Sequence, residues 1–345
     1  MKSIHIKNLL LLLFFAITTN DYTYAFPNGT TANTLFQAFV EEGYSEMTLE
    51  MDFDVLLENI KSEEEHKAQL SMLSEDGETT EMQVKVKPRG VFRRYSCDIP
   101  PLRFNFSKKD LETLGLEAEF DKLKLVTPCF ENSESEQHLL KEYWAYKLYN
   151  EITPASFQVH LVKITYMNTG SVAYQKEQWA FFIESKDELA NRLGGAIVQQ
   201  FGTTPADLEQ NSYQQTMMFN FMIGNHDWDL AGGRNVTFVE LPEITSLILV
   251  PYDFDYSAFV SPAYLHTSKR FYQQDLDDRV LVGDFESMET LSKTAEKFHQ
   301  SKELLLASFK DLDSLKKKHK NMMTWYLDDF FSILDNEKKL ARQFM

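Results

Sequence analysis

The hydrophobic pattern of this chain changes from strand-like to helical near its middle, and that change constrains the fold more than any other feature. In the first half, apolar and polar residues alternate in short runs, which is typical of half-buried β-strands. These runs cover residues 47–55, 68–73, 81–87, 102–106, 123–126, 157–166 and 173–184. In the second half, only two short segments, residues 236–240 and 247–251, have a strand-like pattern. An α+β fold is therefore predicted.

Helical patterns divide the chain in the same way. Residues 135–150 form the one long helix predicted in the first half, because Leu139, Tyr143 and Leu148 recur at helical spacing and indicate an amphipathic helix. After residue 185, helices are predicted at 186–193, at 207–223 and from 288 to the end. We therefore expect two lobes: an antiparallel, sheet-rich lobe at 26–185 and a mostly helical lobe at 186–345. A ligand site is expected in the cleft between them.

The first 25 residues have the features of an export signal. Lys2 and Lys7 precede an apolar run at residues 9–17, and Thr23-Tyr24-Ala25 resembles a cleavage site. The apolar run is too short to cross a bilayer, and no later stretch is long enough, so no transmembrane segment is expected after signal removal. A periplasmic or extracellular location follows. The alternative interpretation is a buried N-terminal helix.

The charge of the chain excludes one class of partner. With 35 basic and 52 acidic residues, the formal net charge is -17. Such a surface repels phosphate backbones, so nucleic-acid binding is not expected.

Two cysteines, Cys97 and Cys129, are present. In an exported protein they predict one disulfide, which would close a loop of about thirty residues and contribute roughly 3–4 kcal/mol. Two free buried thiols are the alternative. Two cysteines without a nearby pair of histidines do not indicate a zinc site.

Carboxylate and amide side chains recur in two segments of the second half. The segment GNHDWDLAGGRNV contains Asp227 and Asn235, and the segment PYDFDYS contains Asp253 and Asp255 at the end of a predicted strand. A strand between the two segments can bring them side by side. Oxygen ligands of this kind suit Mg²⁺ beside phosphate oxygens, and a further carboxylate can orient an attacking hydroxyl group.

Several motifs, in order, resemble the spore-coat protein H (CotH) kinase-like family and, more distantly, the HipA-type atypical kinases. The resemblance covers roughly residues 47–260, and the last two motifs are fairly specific together. The motifs are RGVFRR, LRFNF, LLKEYWAYKLYNEI, YQKEQWAFFIE, GNHDW…RNV and VPYDFD. The resemblance implies a two-lobed, atypical protein-kinase-like fold. It also implies ATP-dependent phosphoryl transfer with Mg²⁺ or Mn²⁺ to an exported protein or another envelope acceptor.

The resemblance also implies roles for individual residues. Asp227 corresponds to the catalytic acid, Asn235 and Asp253 to metal ligands, and Asp255 to a second-choice ligand. On the phosphate side, the expected nucleotide-binding residues are Arg89, Gly90, Arg93, Lys124, Glu142 and Glu184.

The nucleotide lysine is the least defined of these positions. Lys85, Lys87, Lys122 and Lys124 all lie on or beside predicted strands. Lys124 is preferred because its strand directly precedes the helix that carries Glu142, and a Lys–Glu pair holds the phosphates in kinases. Glu184 is the alternative partner.

The chain departs from the kinase pattern because it has no glycine-rich loop of the G-x-G-x-x-G type. Two other hypotheses therefore remain beside the kinase. One is a pseudokinase that acts as a binding module in the cell envelope. The other is a metal-dependent phosphohydrolase that uses the aspartates of PYDFD.

Overall fold

The structure is a computed structural model. It describes residues 33–91, 93–309 and 312–345, so the predicted export signal at 1–25 lies outside the described residues. The fold is mixed α/β. The strands are β1 (Glu46–Met51), β2 (His66–Leu73), β3 (Thr79–Pro88), β4 (Leu102–Phe106), β5 (Lys122–Val126), β6 (Val159–Asn168), β7 (Tyr174–Ile183), β8 (Ala196–Val198), β9 (Val236–Glu240) and β10 (Ile248–Pro251). The helices are α1 (Leu35–Glu41), α2 (Phe53–Glu58), α3 (Arg93–Ser96), α4 (Lys108–Thr113), α5 (Ser133–Ile152), α6 (Lys186–Arg192), α7 (Gln210–Ile223), α8 (Met288–Gln300), α9 (Lys302–Ala307), α10 (Lys317–Leu334) and α11 (Glu337–Phe344).

The first seven strands form a closed sheet in the order β1-β2-β3-β4-β5-β7-β6. Neighbouring strands in this order are antiparallel, but β1 pairs with β6 in parallel and thereby closes the sheet. The prediction of a purely antiparallel sheet was therefore wrong at this junction. Alternation shows which face of a strand is buried, whereas the partner of a strand depends on where the chain returns in space.

The first strand is shorter than its pattern predicted. Residues 47–55 were expected to be one strand, but β1 ends at Met51 and α2 begins at Phe53. Asp52 causes this change because its carboxylate accepts a hydrogen bond from the Val55 amide at 3.1 Å and so caps the helix.

Helix α5 is present as predicted but is not amphipathic. Most of its faces are buried, and its buried residues include the charged Lys141 and Glu142, which are only 1% and 3% exposed. The Tyr149 ring packs 4.4 Å from that of Phe219 in α7. The buried apolar residues of α5 share one core cluster with α7 and the C-terminal helices, while the inside of the closed sheet forms a second cluster.

The second half contains a small antiparallel sheet in the order β10-β9-β8. Strands β9 and β10 were predicted, but the short β8 was not. Helix α7 packs against β10 and ends at Gly224, whose φ of +65° turns the chain into the loop that leads to β9. This loop carries Asp227 and Asn235.

The predicted disulfide is confirmed: Cys97, just after α3, is bonded to Cys129, which follows β5. A disulfide is compatible with an oxidising compartment. Among the described residues, no helix combines the length and the apolar character needed to span a bilayer.

Candidate functional site

A cavity of about 630 Å³ brings together residues from both halves of the chain. Its wall is formed by the ends of β3, β5 and β7, by α5, and by the loops before β9 and after β10. Nine of the residues predicted from the sequence line it: Arg89, Gly90, Arg93, Lys124, Glu142, Glu184, Asp227, Asp253 and Asp255. A cavity of this size is large enough for a nucleotide or another small molecule.

One wall of the cavity is basic. Arg89 directly follows β3, and its amide donates a hydrogen bond to the Pro101 carbonyl at 2.8 Å. Gly90 follows with a φ of +85°, a backbone conformation that favours glycine, so the chain turns sharply at the cavity mouth. Lys124 lies on β5, where burial, together with Arg89 and other nearby cations, lowers the pKa of its amine to about 8. An anion entering the cavity would relieve this repulsion.

Arg93 and Glu142 face each other in the cavity wall. The Arg93 guanidinium donates to the Thr127 carbonyl, and its Nη1 lies 3.7 Å from Glu142 Oε2 and 3.9 Å from Asp255 Oδ2. Burial raises the pKa of the Glu142 carboxyl well above its ordinary value, although Arg93 opposes the shift. The expected Lys124–Glu142 pair is therefore not present, because the four-residue helix α3 places an arginine closer to Glu142 than the strand places its lysine.

Glu184 is also paired differently from the prediction. Its two oxygens accept hydrogen bonds from Arg192 Nε at 2.8 Å and Arg192 Nη2 at 2.9 Å. The Gln158 amide donates to the same carboxylate at 3.0 Å. Arg192, on α6, was not predicted as a site residue. This two-pronged pair holds the end of β7 against α6, and Glu184 does not orient Lys124.

The loop before β9 contributes Asp227 to the cavity lining. Its carboxylate accepts a hydrogen bond from Asn235 Nδ2 at 3.1 Å and lies 3.3 Å from Arg234 Nε. Asn235 Nδ2 also donates to the Asp227 carbonyl at 2.6 Å. Asn235 has a φ of +54° and is not among the residues that line the cavity. In this structure Asn235 supports the Asp227 loop from behind.

Asp253 and Asp255 complete the acidic wall. Asp253 has a φ of +65°, and its amide donates a hydrogen bond to the Tyr146 hydroxyl oxygen at 2.8 Å. Asp255 accepts a hydrogen bond from the Tyr264 hydroxyl at 2.7 Å. Desolvation within the cavity and the nearby Asp255 carboxylate raise the pKa of Asp253 to about 6.

The acidic wall suits a hard cation in chemistry and would supply only part of its coordination shell. Its donors are carboxylate oxygens, which Mg²⁺ and Mn²⁺ prefer. Within residues 33–91, 93–309 and 312–345, however, no group of three or more His, Cys, Asp or Glu side chains is placed to hold a metal ion. Mg²⁺ commonly takes only one or two carboxylates and completes its coordination with phosphate oxygens and water. The wall fits that mode of binding.

Seven aromatic or basic residues that line the cavity were not predicted as site residues: Tyr146, Phe157, Lys186, Tyr252, Tyr256, Tyr264 and His266. Lys186, at the start of α6, lies with its Nζ 4.6 Å from the centre of the Tyr252 ring. Tyr252 links the two acidic loops because its amide donates to the Asn235 carbonyl at 2.9 Å. Tyr264 and His266 line the cavity from the irregular segment after Asp255. The position of Tyr252 directly before Asp253 in the sequence could have identified it as a site residue, whereas no comparable signal marked Lys186, Tyr264 or His266.

Comparisons with known proteins add little to this geometry. No protein-family model and no curated protein matches the chain. Among solved structures, the chain is similar to the crystal structure of a Helicobacter pylori proinflammatory kinase, CtkA, with 10% sequence identity and a TM-score of 0.35. The similarity covers 80% of this chain and 90% of that chain. Such a low TM-score does not establish a shared fold, so the cavity is interpreted from its own residues.

Proposed function

We propose that this chain is an exported, kinase-like phosphotransferase that uses ATP with Mg²⁺ or Mn²⁺ and phosphorylates an exported protein or another envelope acceptor. One observation carries the proposal. A single cavity is lined by arginine and lysine side chains and by three aspartates. Phosphoryl transfer needs this combination, because the phosphates require cationic donors while the metal and the attacking hydroxyl require carboxylates.

The basic wall would bind the phosphates. Arg89 and Arg93 offer forked guanidinium donors that match phosphate oxygens, and Lys124 adds a point charge beside them. No atom lies within 4 Å of a β-carbon built on Gly90, so the backbone of this turn is uncovered and would be open to a phosphate. Glu142 would act indirectly by positioning Arg93, and Glu184 by fixing the strand end through Arg192.

The acidic wall would position the metal and the acceptor. Asp253 and Asp255 are the proposed metal ligands, and Asn235 would either join them or keep its present role behind Asp227. A bound Mg²⁺ or Mn²⁺ supplies positive charge next to the phosphate oxygens. Asp227 would accept the proton of the acceptor hydroxyl as that oxygen bonds to the γ-phosphorus and the bond to ADP breaks.

A second candidate is a pseudokinase that binds a ligand without turnover. It is favoured by the pairing of Glu142 with Arg93 in place of Lys124, and by the engagement of Asp255 with Tyr264. Both groups would have to change partners before the cavity resembles an active kinase. Nucleotide binding is common to both candidates, whereas phosphoryl transfer distinguishes them.

The first test is thermal unfolding of the mature protein with Mn²⁺ and ATP, beside Asp253→Ala. Ligand at a hundred times its dissociation constant stabilises the native state by about 2.7 kcal/mol. We expect the wild type to gain this stability only when metal and ATP are both present, and Asp253→Ala to gain none. Asp76→Ala, in the exposed hairpin between β2 and β3, is the matched control and should behave as the wild type.

Transfer is then measured with γ-labelled ATP. Label incorporation that disappears in Asp227→Ala supports the kinase, and binding without incorporation favours the pseudokinase. If Asp253→Ala is stabilised by ATP as strongly as the wild type, the assignment of the acidic wall is wrong.

A further inference from the structure

The segment that carries the arginines of the basic wall has little regular structure of its own. It connects β3 to β4 and contains Arg89, Gly90 and Arg93, with α3 as a single helical turn. Such a segment is held by its attachments to the rest of the molecule rather than by its own hydrogen bonds. The position of the Arg93 guanidinium therefore depends on those attachments.

On one side, the segment is attached through Arg94. Its guanidinium donates to the carbonyls of Ile60 and Ser62, and its Nη1 contacts Glu63 at 2.7 Å. None of these residues lines the larger cavity. They anchor α3 to the turn after α2, and they leave the direction of Arg93 to be determined on the other side.

On the cavity side, the attachments are centred on the disulfide. Cys97 directly follows α3, and its amide donates to the Arg93 carbonyl at 3.1 Å. Its disulfide partner, Cys129, lies two residues after Thr127, whose carbonyl accepts from the Arg93 guanidinium. The Asp98 amide donates to the Cys129 carbonyl at 2.8 Å. The covalent bond thus joins the backbone next to Arg93 to the backbone that Arg93 binds.

We propose that the Cys97–Cys129 disulfide positions Arg93 against Glu142 and Asp255, and that the cavity binds phosphate groups fully only when this bond is formed. The proposal rests on the proposed nucleotide-binding function. It makes that function dependent on an oxidising environment. Cys97 and Cys129 are positioning residues here, because they act through Arg93 and do not line the larger cavity.

Without the covalent bond, Thr127 Oγ1 still donates to the Ile99 carbonyl, the Asp98 amide to the Cys129 carbonyl and the Glu131 amide to the Asp98 carboxylate, but none of these bonds holds the Arg93 guanidinium. The guanidinium is held by the Nη2 hydrogen bond to the Thr127 carbonyl and by the Nη1 ion pairs with Glu142 and Asp255, while its buried Nε has no hydrogen-bond partner among the described residues. Released from Cys129, α3 can turn about its Arg94 anchor, and Arg93 then leaves Glu142 and Asp255. Binding by a guanidinium depends on its direction, so its contribution to phosphate affinity would fall even though its charge remains.

A small reductant has a route to the bond. Cys129 lines a second cavity of about 320 Å³, which shares Arg93, Glu142, Asp255 and Tyr264 with the larger one. A dithiol that enters there can transfer two electrons and two protons to the disulfide. Cys97 and Cys129 become thiols, and the dithiol closes to its own disulfide.

The experiment compares the oxidised wild type with Cys97→Ser/Cys129→Ser, using ATP with Mn²⁺ as the probe. We expect ATP affinity to fall about tenfold or more, the loss typical of one charged hydrogen-bonding group. Leu70→Ala is the matched control, because Leu70 lies on β2 between Leu49 and Met82, so the substitution destabilises the same closed sheet and should leave ATP affinity unchanged. Far-UV circular dichroism confirms that each variant is folded.

A second readout does not depend on ATP. Modification of Arg93 by a dicarbonyl reagent, followed by mass spectrometry, should become faster in the double variant and in the wild type treated with dithiothreitol. It should slow again after reoxidation. Arg192, which Glu184 holds, serves as the internal reference. A purely stabilising disulfide would change the unfolding temperature but not the relative labelling of Arg93 in the folded protein.

The two readouts separate the possible failures. Faster labelling of Arg93 without ATP binding by either protein supports the positioning role and overturns the nucleotide-binding function. Labelling at the wild-type rate, with ATP affinity within about twofold of the wild type, overturns the positioning role and leaves the nucleotide-binding function intact.

Discussion

Lys124 shows how the cavity wall holds an unfavourable charge. Burial and the neighbouring cations lower the pKa of its amine from 10.5 to about 8, and no carboxylate oxygen among the described residues lies within 4.0 Å of it. A lysine without a counter-ion in such a wall destabilises the folded chain. Its retention in the wall is understandable if the counter-ion arrives with the ligand.

Replacement of Lys124 by methionine is therefore expected to stabilise the protein while weakening ATP binding. The pKa of Lys124 is lower in the folded state than in the unfolded state, so between about pH 8 and 10.5 the unfolded chain binds one more proton than the folded chain. The charged lysine therefore lowers the free energy of unfolding, and this loss is fully present below about pH 8. At pH 7 the gain should be between about 1 and 3 kcal/mol, and it should vanish above about pH 10.5.

Urea unfolding at both pH values measures this effect. Lys85→Met, on the exposed face of β3, is the control and should show no gain. A Lys124→Met variant that is less stable than the wild type at pH 7 would contradict the burial argument.

Among the elements, the end of α7 determines where the Asp227 loop begins. Gly224 closes the helix with a φ of +65°, and a β-carbon built there would overlap the Tyr326 hydroxyl and lie 2.8 Å from Ala258 Cβ. The last turn of α7 is thus packed directly beneath α10 and the segment after Asp255. The Asp227 loop starts from this contact, and the loop that carries Asp253 and Asp255 ends at it, where the Ala258 amide donates to the Gly224 carbonyl at 3.2 Å.

Gly224→Ala should accordingly cost much more than an ordinary glycine substitution. The left-handed backbone alone costs about 1–2 kcal/mol, and the overlap with Tyr326 adds a further 1–3 kcal/mol, roughly. The measurement is urea unfolding beside Gly115→Ala, since Gly115 has a φ of +74° but no atom within 4 Å of a built β-carbon. Equal losses in the two variants would show that the packing beneath the loop is loose.

For the whole molecule, the closed sheet and the α5-centred cluster are two cores that meet along β5 and β7. The cavity lies at this meeting point, with basic residues supplied from the sheet side and aspartates from the loops beyond α7. Closure of the sheet depends on β1, which contacts β2 on one side and β6 on the other.

Leu49→Ala tests the closure. Leu49 is fully buried and lies opposite Leu70 of β2 and Tyr166 of β6. Removing its side chain leaves a cavity between these strands, so we expect a loss of about 2–5 kcal/mol in the free energy of unfolding. Leu114→Ala, which is 53% exposed, is the control and should lose less than about 0.5 kcal/mol. A small loss in Leu49→Ala would show that β1 is not an integral part of the sheet.

The sequence by itself determined the local features of this protein. Strand alternation, helix spacing and turn residues depend on neighbours a few positions away, so β4, α5 and the β9–β10 pair could be predicted with small errors at their ends. The cysteine pair was predictable because an exported chain with two cysteines has one possible bridge. The acidic segments were recognisable because their residues lie close together along the chain.

Only the tertiary structure decided how the charged side chains pair. Glu142 meets Arg93 rather than Lys124, Glu184 meets Arg192, and Asn235 lies behind Asp227. The parallel pairing of β1 with β6, which closes the sheet, was likewise decided by the tertiary structure. Which groups approach within a few ångströms depends on how distant elements pack and which charges are buried together, and no periodicity in the sequence records that.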